Sequence, residues 1–287
     1  MKNLSKAYYK DYFKDLKFTI TQQEAKAKKD TERLISERNE ELLRLANADY
    51  LRAVNKMDSL DGLANKQFEL EVCYPGLVTG IGLNHEAKIE GEFKLGVHFD
   101  YTTGLPIVYG SSVKGVLRSA FEIRNLLAVL IKLFPKVKRL KDIQEQIGND
   151  LSTFVVDIFG SGKDEKERQE GVKSIYKRDI FFDAVVSGVS ITGKMLEADS
   201  ITPHKNGPLK NPIPLTFVRI ASGCKLKFRF RLTDSTLKKA DGKTLKLSAG
   251  DKELLFMYIL MAFGIGAKTN VGYGRLKPVK QSSNRLF

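Results

Sequence analysis

A glycine-rich stretch near the C-terminus constrains this chain more than any other part of its sequence. It runs Gly-Ile-Gly-Ala-Lys-Thr-Asn-Val-Gly-Tyr-Gly-Arg from Gly264 to Arg275, after an apolar segment with helical spacing from Ser248 to Phe263. Ser248 is suited to cap that helix, and Asp251 falls in its first turn. Because glycine adopts backbone conformations that other residues avoid, the stretch predicts a tight loop whose backbone approaches another group closely.

The sequence leaves two interpretations of this loop open. Its backbone amides, together with Lys268 and Arg275, could hold an anion such as phosphate. Alternatively, the glycines end the helix and turn the chain into a last strand. A bound nucleoside triphosphate is disfavoured, because the Walker pattern is absent and the loop follows a helix C-terminus, where the helix dipole repels anions.

A second basic turn lies between Pro106 and Arg118, with the sequence Pro-Ile-Val-Tyr-Gly-Ser-Ser-Val-Lys-Gly-Val-Leu-Arg. We expect a short strand that ends at Gly110, followed by a helix that Ser111 or Ser112 caps and that continues to about Phe134. Free amides at a helix N-terminus attract phosphate, and Lys114 lies one turn from Arg118 on the same helix face. The alternative is that the serines only cap and Lys114 is solvated.

Composition predicts a globular protein with a polyanionic partner. The chain has 287 residues, of which 42% are hydrophobic, and its net charge of +14 comes from 48 Lys and Arg against 34 Asp and Glu. Such an excess of positive charge favours nucleic acid over an anionic membrane surface as the partner. The sequence contains no long apolar run and no signal-like start, so we expect a cytoplasmic protein. Cys73 and Cys224 are expected to be buried thiols, and the three histidines are too scattered for a zinc motif.

The order of hydrophobic patterns predicts an α+β fold. Residues 1–62 have helical character throughout and are expected to form an N-terminal extension that packs on its own domain or docks on another protein. From Lys66 onward, alternating strands and two long helices follow in a β-α-β-β-α-β order, which suits an antiparallel sheet with helices on one face. We therefore assign residues 63–287 to one domain with insertions.

Three further segments carry hypotheses of their own. Asp179 and Asp183 lie on a predicted buried strand and suggest a metal or a general base, but no third ligand is evident. Residues 196–214 are rich in proline and basic side chains, and they are expected to leave the core as an excursion. Residues 215–232 form one alternating strand with a basic face, which is either a nucleic-acid platform or a solvated edge protected by charges.

Together these motifs resemble the RAMP superfamily of CRISPR effector proteins. The segment from Gly104 to Arg118 is similar to that family's P-x-I-P-G-S-S-x-K-G-x-L-R motif, with Val-Tyr in place of the usual Ile-Pro, and Gly264 to Arg275 is similar to its C-terminal glycine-rich loop. Asp157-Ile-Phe-Gly160 and Asp199-Ser-Ile-Thr-Pro-His204 narrow the resemblance to the sixth, terminal RAMP subunit of type III-B (Cmr) effector complexes. The N-terminal helical residues are not covered by any of these motifs.

The resemblance implies a ferredoxin-like core, similar to an RNA-recognition motif, with residues 197–214 as a thumb-like insertion. It implies a non-catalytic subunit that caps the 3′-end side of a ribonucleoprotein acting in antiviral defence. Its partners would be guide RNA, target RNA, other RAMP backbone subunits and a small helical subunit, without a cofactor, a metal or a membrane. We expect both basic turns to contact one strand of RNA. The expected RNA-binding residues of the two turns and of the proline-rich excursion are Ser111, Ser112, Lys114, Arg118, His204, Lys205, Lys210, Gly266, Lys268, Asn270, Gly272, Gly274 and Arg275.

Two other functions remain open at this stage. One is a metal-independent guide-processing endoribonuclease of the same superfamily, with His85 or His204 as the general acid or base. The other is an architectural DNA-binding protein, which ranks last because the sequence contains no recognition-helix motif.

Overall fold

The protein is described from a computed structural model. The structure describes residues 2–16, 25–55, 62–80, 89–93, 96–160, 178–201, 215–238 and 242–279. Its helices are α1 (Leu4–Tyr9), α2 (Ala25–Leu45), α3 (Ala48–Asn55), α4 (Gly110–Phe121), α5 (Leu126–Leu133), α6 (Lys138–Ile147), α7 (Val155–Phe159) and α8 (Ala249–Phe263). Its strands are β1 (Lys66–Val72), β2 (His98–Phe99), β3 (Pro106–Val108), β4 (Ile180–Phe181), β5 (Ala184–Gly188), β6 (Leu196–Ile201), β7 (Leu215–Ile220), β8 (Lys225–Arg231), β9 (Ser235–Lys238), β10 (Thr244–Leu247) and β11 (Leu276–Pro278).

The central sheet is antiparallel, as the sequence predicts. Within the described residues its strand order is β11-β1-β8-β5-β3-β2, and β4 pairs with β8 beside this path. Every pairing is antiparallel, with Leu70 opposite both Pro278 and Leu226 at the middle of β1. The antiparallel α+β prediction is confirmed, while the finer ferredoxin-like assignment stays a prediction.

Helix α8 packs on the phenylalanine face of this sheet. Phe228 and Phe230 of β8 alternate with cationic residues and are fully buried. Phe256 of α8 lies with its ring centroid 5.4 Å from that of Phe230, and Phe121 at the end of α4 lies 6.0 Å from Phe256. The predicted cap of α8 is confirmed, because the Ser248 side chain accepts a hydrogen bond from the backbone amide of Asp251.

The N-terminal extension consists of separate helices and not of one. Asn47 stops the helical run and caps α3 by accepting a hydrogen bond from the amide of Tyr50 at 2.9 Å, which is a role that asparagine favours. The aromatic residues at the start of this extension pack within the chain, since Tyr8 and Tyr12 are buried and the Tyr8 ring lies 5.3 Å from Phe99. No helix in the described ranges combines the length and apolar character that a bilayer span requires.

Three predicted elements have different boundaries in the structure. The helix expected to reach Phe134 ends at Phe121, because Asn125 adopts a left-handed conformation (φ 60°) that separates α4 from α5. The single strand expected over residues 215–232 is two strands, β7 and β8, which belong to different sheets and are joined by a turn at Gly223 (φ 87°). The excursion expected over residues 196–214 begins as β6, which pairs with β7 as an antiparallel hairpin, and residues 202–214 lie outside the described residues.

Candidate nucleic-acid interface

The start of α4 is built differently from the predicted serine cap. Tyr109 is the N-cap residue and provides no side-chain cap, so Ser111 and Ser112 lie within the first turn. The amide of Gly110 donates a hydrogen bond to Asp183 Oδ1 at 2.6 Å. A carboxylate therefore already occupies part of the helix N-terminus, and the predicted capping by serine is wrong.

The exposed side of this turn nevertheless carries a cluster of polar and cationic groups. Ser111 and Ser112 are exposed, while Lys114 and Arg118 are half-buried. The pKa of Lys114 lies below its usual range because the side chain is partly buried and because Arg178 and Arg118 place positive charge beside it. Arg118 also forms an ion pair with Glu122 at 3.3 Å. We call Ser111, Ser112, Lys114, Arg118 and Arg178 the α4 patch.

Many backbone amides of the glycine-rich loop donate hydrogen bonds to carbonyl groups of the protein itself. Gly264 is the C-cap residue of α8, and its amide donates a hydrogen bond to the carbonyl of Leu260 at 2.9 Å. Further intrachain hydrogen bonds come from the amides of Ile265, Ala267, Val271, Gly272, Tyr273 and Gly274. At Gly266 (φ 88°), a Cβ atom would lie 2.5 Å from the Val78 carbonyl oxygen, so glycine is required there by close backbone packing. These bonds favour the interpretation of a C-cap and tight turn over an amide nest for an anion.

The side chains of the loop still form a basic surface. Asn270 and Arg275 are exposed and Lys268 is half-buried. Tyr74, which is 80% exposed, lies on the neighbouring segment, where the amide of Cys73 donates a hydrogen bond to the Arg275 carbonyl at 2.9 Å. We call Tyr74, Lys268, Asn270 and Arg275 the loop patch. Any anion here is held by side chains more than by the loop backbone.

The loop is fastened to the β6-β7 hairpin, from which the predicted thumb-like insertion emerges. The Tyr273 hydroxyl donates a hydrogen bond to Asp199 Oδ2 at 2.8 Å, and the Tyr273 ring lies 5.9 Å from Phe217 of β7. Arg219 forms ion pairs with Asp199 at 2.9 Å and with Glu197 at 3.0 Å. The loop patch and the root of the hairpin therefore form one unit.

The two basic turns do not form one site. Arg275 is level with Cys73, beyond the last residue of β1, whereas Val108 pairs with Ala184 near the opposite ends of the strands. Three strands, β1, β8 and β5, separate β11 from β3. With strands about 4.8 Å apart and a rise of about 3.3 Å per residue, Val108, just before the α4 turn, and Arg275 are separated by roughly 25 Å. One short stretch of RNA therefore does not reach both turns, which lie at opposite ends of the sheet. Contact of both turns with one longer strand of RNA stays a prediction.

The basic face of β8 is not an exposed edge. Strand β8 lies between β1 and β5, so the interpretation as a solvated edge is wrong. Lys225 and Lys227 are half-buried and stand directly opposite Glu71 and Glu69 of β1. Arg229 is only 1% exposed. Cross-strand pairing with carboxylates reduces the positive charge that this face presents to solvent.

The two aspartates considered for catalysis have structural partners. The carboxylate of Asp179 forms an ion pair with Lys252 at 2.5 Å and accepts hydrogen bonds from Thr233. The carboxylate of Asp183 accepts a hydrogen bond from the Gly110 amide. The carboxylate of Asp157 accepts a hydrogen bond from the Ser235 hydroxyl, which joins α7 to β9. In the described ranges, no three residues among His, Cys, Asp and Glu are grouped so that they could hold a metal ion.

Some predicted residues lie outside the described part of the chain, namely His85, His204, Lys205 and Lys210. Sequence reasoning missed Arg178 of the α4 patch and the contact of His98 with Tyr109, whose ring centroids are 4.4 Å apart. The aromatic residue Tyr109, immediately before the Gly-Ser-Ser turn, was the available signal. Of the two cysteines, Cys224 is buried as predicted, and burial raises the pKa of its thiol to about 12, whereas Cys73 is only half-buried.

Comparison with known proteins places these features in a family. A model of the RAMP superfamily matches residues 69–277. The CRISPR system Cmr subunit Cmr6 of Pyrococcus furiosus is 25% identical in an alignment of 271 positions that covers 82% of this chain and 73% of that protein.

Two solved structures are also similar. One is a chain in the cryo-EM structure of the Type III-B Cmr-beta bound to cognate target RNA, with a TM-score of 0.49 and 22% identity over 88% of this chain and 71% of that chain. The other is the crystal structure of Cmr6 from Pyrococcus furiosus, with a TM-score of 0.29 and 17% identity over 74% of this chain and 97% of that chain. The family match covers both basic turns, the central sheet and the β6-β7 hairpin, and on that ground this chain belongs to the RAMP superfamily.

Proposed function

We propose that this protein is an RNA-binding structural subunit of a type III-B CRISPR ribonucleoprotein that targets RNA. The similarity to Cmr6 of Pyrococcus furiosus extends over 82% of the chain and supports the assignment to a Cmr complex. The net charge of +14 supports a nucleic-acid partner. We further propose that guide RNA and target RNA are the ligands and that other Cmr subunits are the protein partners.

One observation carries the proposal of RNA binding. The fold brings Lys114, Arg118 and Arg178 together at α4, where burial and then the two neighbouring positive charges lower the pKa of Lys114. A polyanion that binds across this cluster adds negative charge beyond that of Glu122, which pairs with Arg118, and reduces the repulsion among the three cations. The exposed hydroxyls of Ser111 and Ser112 beside it are suited to phosphate oxygens.

The separation of the two patches sets how RNA would run over the protein. Because they lie roughly 25 Å apart, RNA that touches both must cross the sheet as an extended strand of several nucleotides or contact them with two different segments. We propose the second arrangement, with the α4 patch on one segment and the loop patch beside the hairpin on another. This arrangement suits a subunit that caps one end of a filament and separates segments of a guide-target duplex.

We also propose that the subunit is not catalytic. Asp179 is committed to Lys252 and Thr233, and Asp183 is committed to Gly110, so neither carboxylate is available as a general base without disrupting the fold. Incubation of the full chain with labelled CRISPR repeat RNA in the presence of a chelator tests this proposal. We expect intact RNA, and a ladder of products would identify the protein as a metal-independent ribonuclease.

Matched charge variants test RNA binding. We would measure the affinity of the full chain for a labelled single-stranded guide RNA over a range of salt concentrations. The variants are Lys114→Ala with Arg118→Ala for the α4 patch, and Lys268→Ala with Arg275→Ala for the loop patch. The control is Lys138→Ala with Lys141→Ala on the exposed side of α6, which removes the same charge elsewhere.

Each patch variant is expected to weaken binding and to reduce the slope of log affinity against log salt by about 0.7 for each lost phosphate contact. The α6 variant is expected to keep the wild-type slope. If both patch variants bind RNA with the same affinity and the same salt slope as the wild type and the α6 variant, these patches do not bind RNA. Duplex DNA bound as tightly as single-stranded RNA would instead favour an architectural DNA-binding protein.

A further inference from the structure

An aromatic pair stands immediately before the α4 patch. The rings of His98 and Tyr109 lie with centroids 4.4 Å apart and an interplanar angle of 30°. His98 belongs to β2, and its backbone amide donates a hydrogen bond to the Thr79 hydroxyl at 2.8 Å. Tyr109 follows β3, which pairs with β2 through His98 and Ile107. The pair is therefore positioned by strand pairing and not by a loop.

Part of the Tyr109 surface is not packed against the rest of the protein and is exposed to solvent. The residue is 39% exposed although its ring packs against His98. Burial lowers the pKa of His98, so its ring stays neutral at neutral pH and does not add to the cationic cluster of α4. A neutral aromatic ring supported on one side and exposed to solvent is a suitable surface for stacking a nucleobase.

The residues that follow Tyr109 supply groups for the backbone of the same nucleotide. Ser111 and Ser112 are the next exposed side chains, and Lys114 is five residues beyond Tyr109, about 7.5 Å farther along the helix axis. A lysine side chain spans much of this distance. A base on Tyr109 and its phosphate near the serines and Lys114 can therefore be held together.

We propose that Tyr109, supported by His98, is a stacking site for an unpaired nucleobase of single-stranded RNA. This inference rests on the proposed RNA-binding function and adds to it a site that contacts a base and not phosphate. Paired bases within a duplex are already stacked on their neighbours, so the site selects a single-stranded or flipped-out nucleotide. Stacking is tolerant of base identity, so the site requires no particular sequence.

The test uses the full chain and two probes, a labelled oligouridylate and inorganic polyphosphate, which carries charge but no bases. Tyr109→Ala is expected to weaken oligouridylate binding by about 5- to 150-fold and to leave the salt slope unchanged. Polyphosphate binding should stay within about twofold, because stacking needs a base. Tyr109→Phe keeps the ring and should bind like the wild type.

Two controls separate the possible outcomes. Tyr101→Ala removes another tyrosine, 91% exposed in the turn between β2 and β3, and should bind normally. Lys114→Ala should weaken both probes. If Lys114→Ala weakens oligouridylate binding while Tyr109→Ala does not, the stacking site is wrong and the proposed function stands. If the wild-type chain does not bind RNA, both proposals fail.

Discussion

The hydroxyl of Tyr273 donates a 2.8 Å hydrogen bond to the carboxylate of Asp199, and this contact joins the C-terminal glycine-rich loop to the β6-β7 hairpin. The two residues are 74 positions apart in the sequence. The sequence patterns suggest that the glycine-rich loop shares a site with the α4 turn. In the structure this contact joins the loop to the β6-β7 hairpin instead. We expect the position of the loop patch to depend on this hairpin.

Tyr273→Phe is expected to loosen the loop without unfolding the protein. The variant keeps the ring against Phe217 but loses the bond to Asp199, whose side chain is 28% exposed, so we expect a loss of about 1 kcal/mol in the free energy of unfolding. Hydrogen exchange should accelerate at the amides of residues 265–274. Tyr101→Phe is the matched control, and equal exchange in both variants would mean that the bond does not position the loop.

Replacing glycine with alanine at two positions of α4 is expected to change the free energy of unfolding in opposite directions. A Cβ atom on Gly110 would lie 2.2 Å from the Phe181 carbonyl oxygen, whereas one on Gly115 has no atom within 4 Å. Gly110→Ala should therefore cost about 1–3 kcal/mol through overpacking. Gly115→Ala should gain about 0.5–1 kcal/mol, because glycine is disfavoured within helices. Denaturant unfolding measures both, and a stable Gly110→Ala variant would contradict the close approach of α4 to β4.

The buried ion pair between Asp179 and Lys252 is expected to be important for stability. Both side chains are 1% exposed, and Lys252 also donates to the Thr233 carbonyl at 2.7 Å. Lys252→Met leaves a buried carboxylate without its counterion and should cost about 3–5 kcal/mol in chemical unfolding. Combining it with Asp179→Asn should recover part of that loss. Additive losses in the double variant would show that the two charges are not coupled.

Stability is expected to fall in alkaline solution because of tyrosines that are buried or half-buried. Burial is the main cause that raises the pKa of Tyr9 and of Tyr273, each to about 12, and the hydrogen bond to Asp199 adds to the shift of Tyr273. An unfolded tyrosine ionises at about 10, so between pH 10 and 12 the unfolded chain releases protons that the folded chain keeps. The free energy of unfolding should decrease over that interval.

Denaturant unfolding at several pH values, with tyrosinate absorbance as a second readout, measures this effect. Tyr273→Phe should flatten the alkaline decline because it removes one of the contributing groups. A decline as steep as that of the wild type would show that Tyr273 does not contribute.

Much of the secondary structure follows from local sequence because its causes are local. The alternation in β1, the short apolar β3 and the capped helix α8 were all predictable, since each depends on side-chain spacing or on a cap within a few residues. The breaks at Asn47, Asn125 and Gly223 were harder to predict. At each of them a single residue interrupts a hydrophobic pattern that continues on both sides.

The sequence by itself determined the antiparallel α+β class, the basic character of the protein and the two glycine turns that carry the RAMP resemblance. The tertiary structure decided which of these features meet. It separated the α4 turn from the glycine-rich loop by the length and width of the sheet, because strand order and register set distances that sequence spacing does not contain. It also brought Arg178 to Lys114 and Asp199 to Tyr273, contacts that arise only when distant segments pack together.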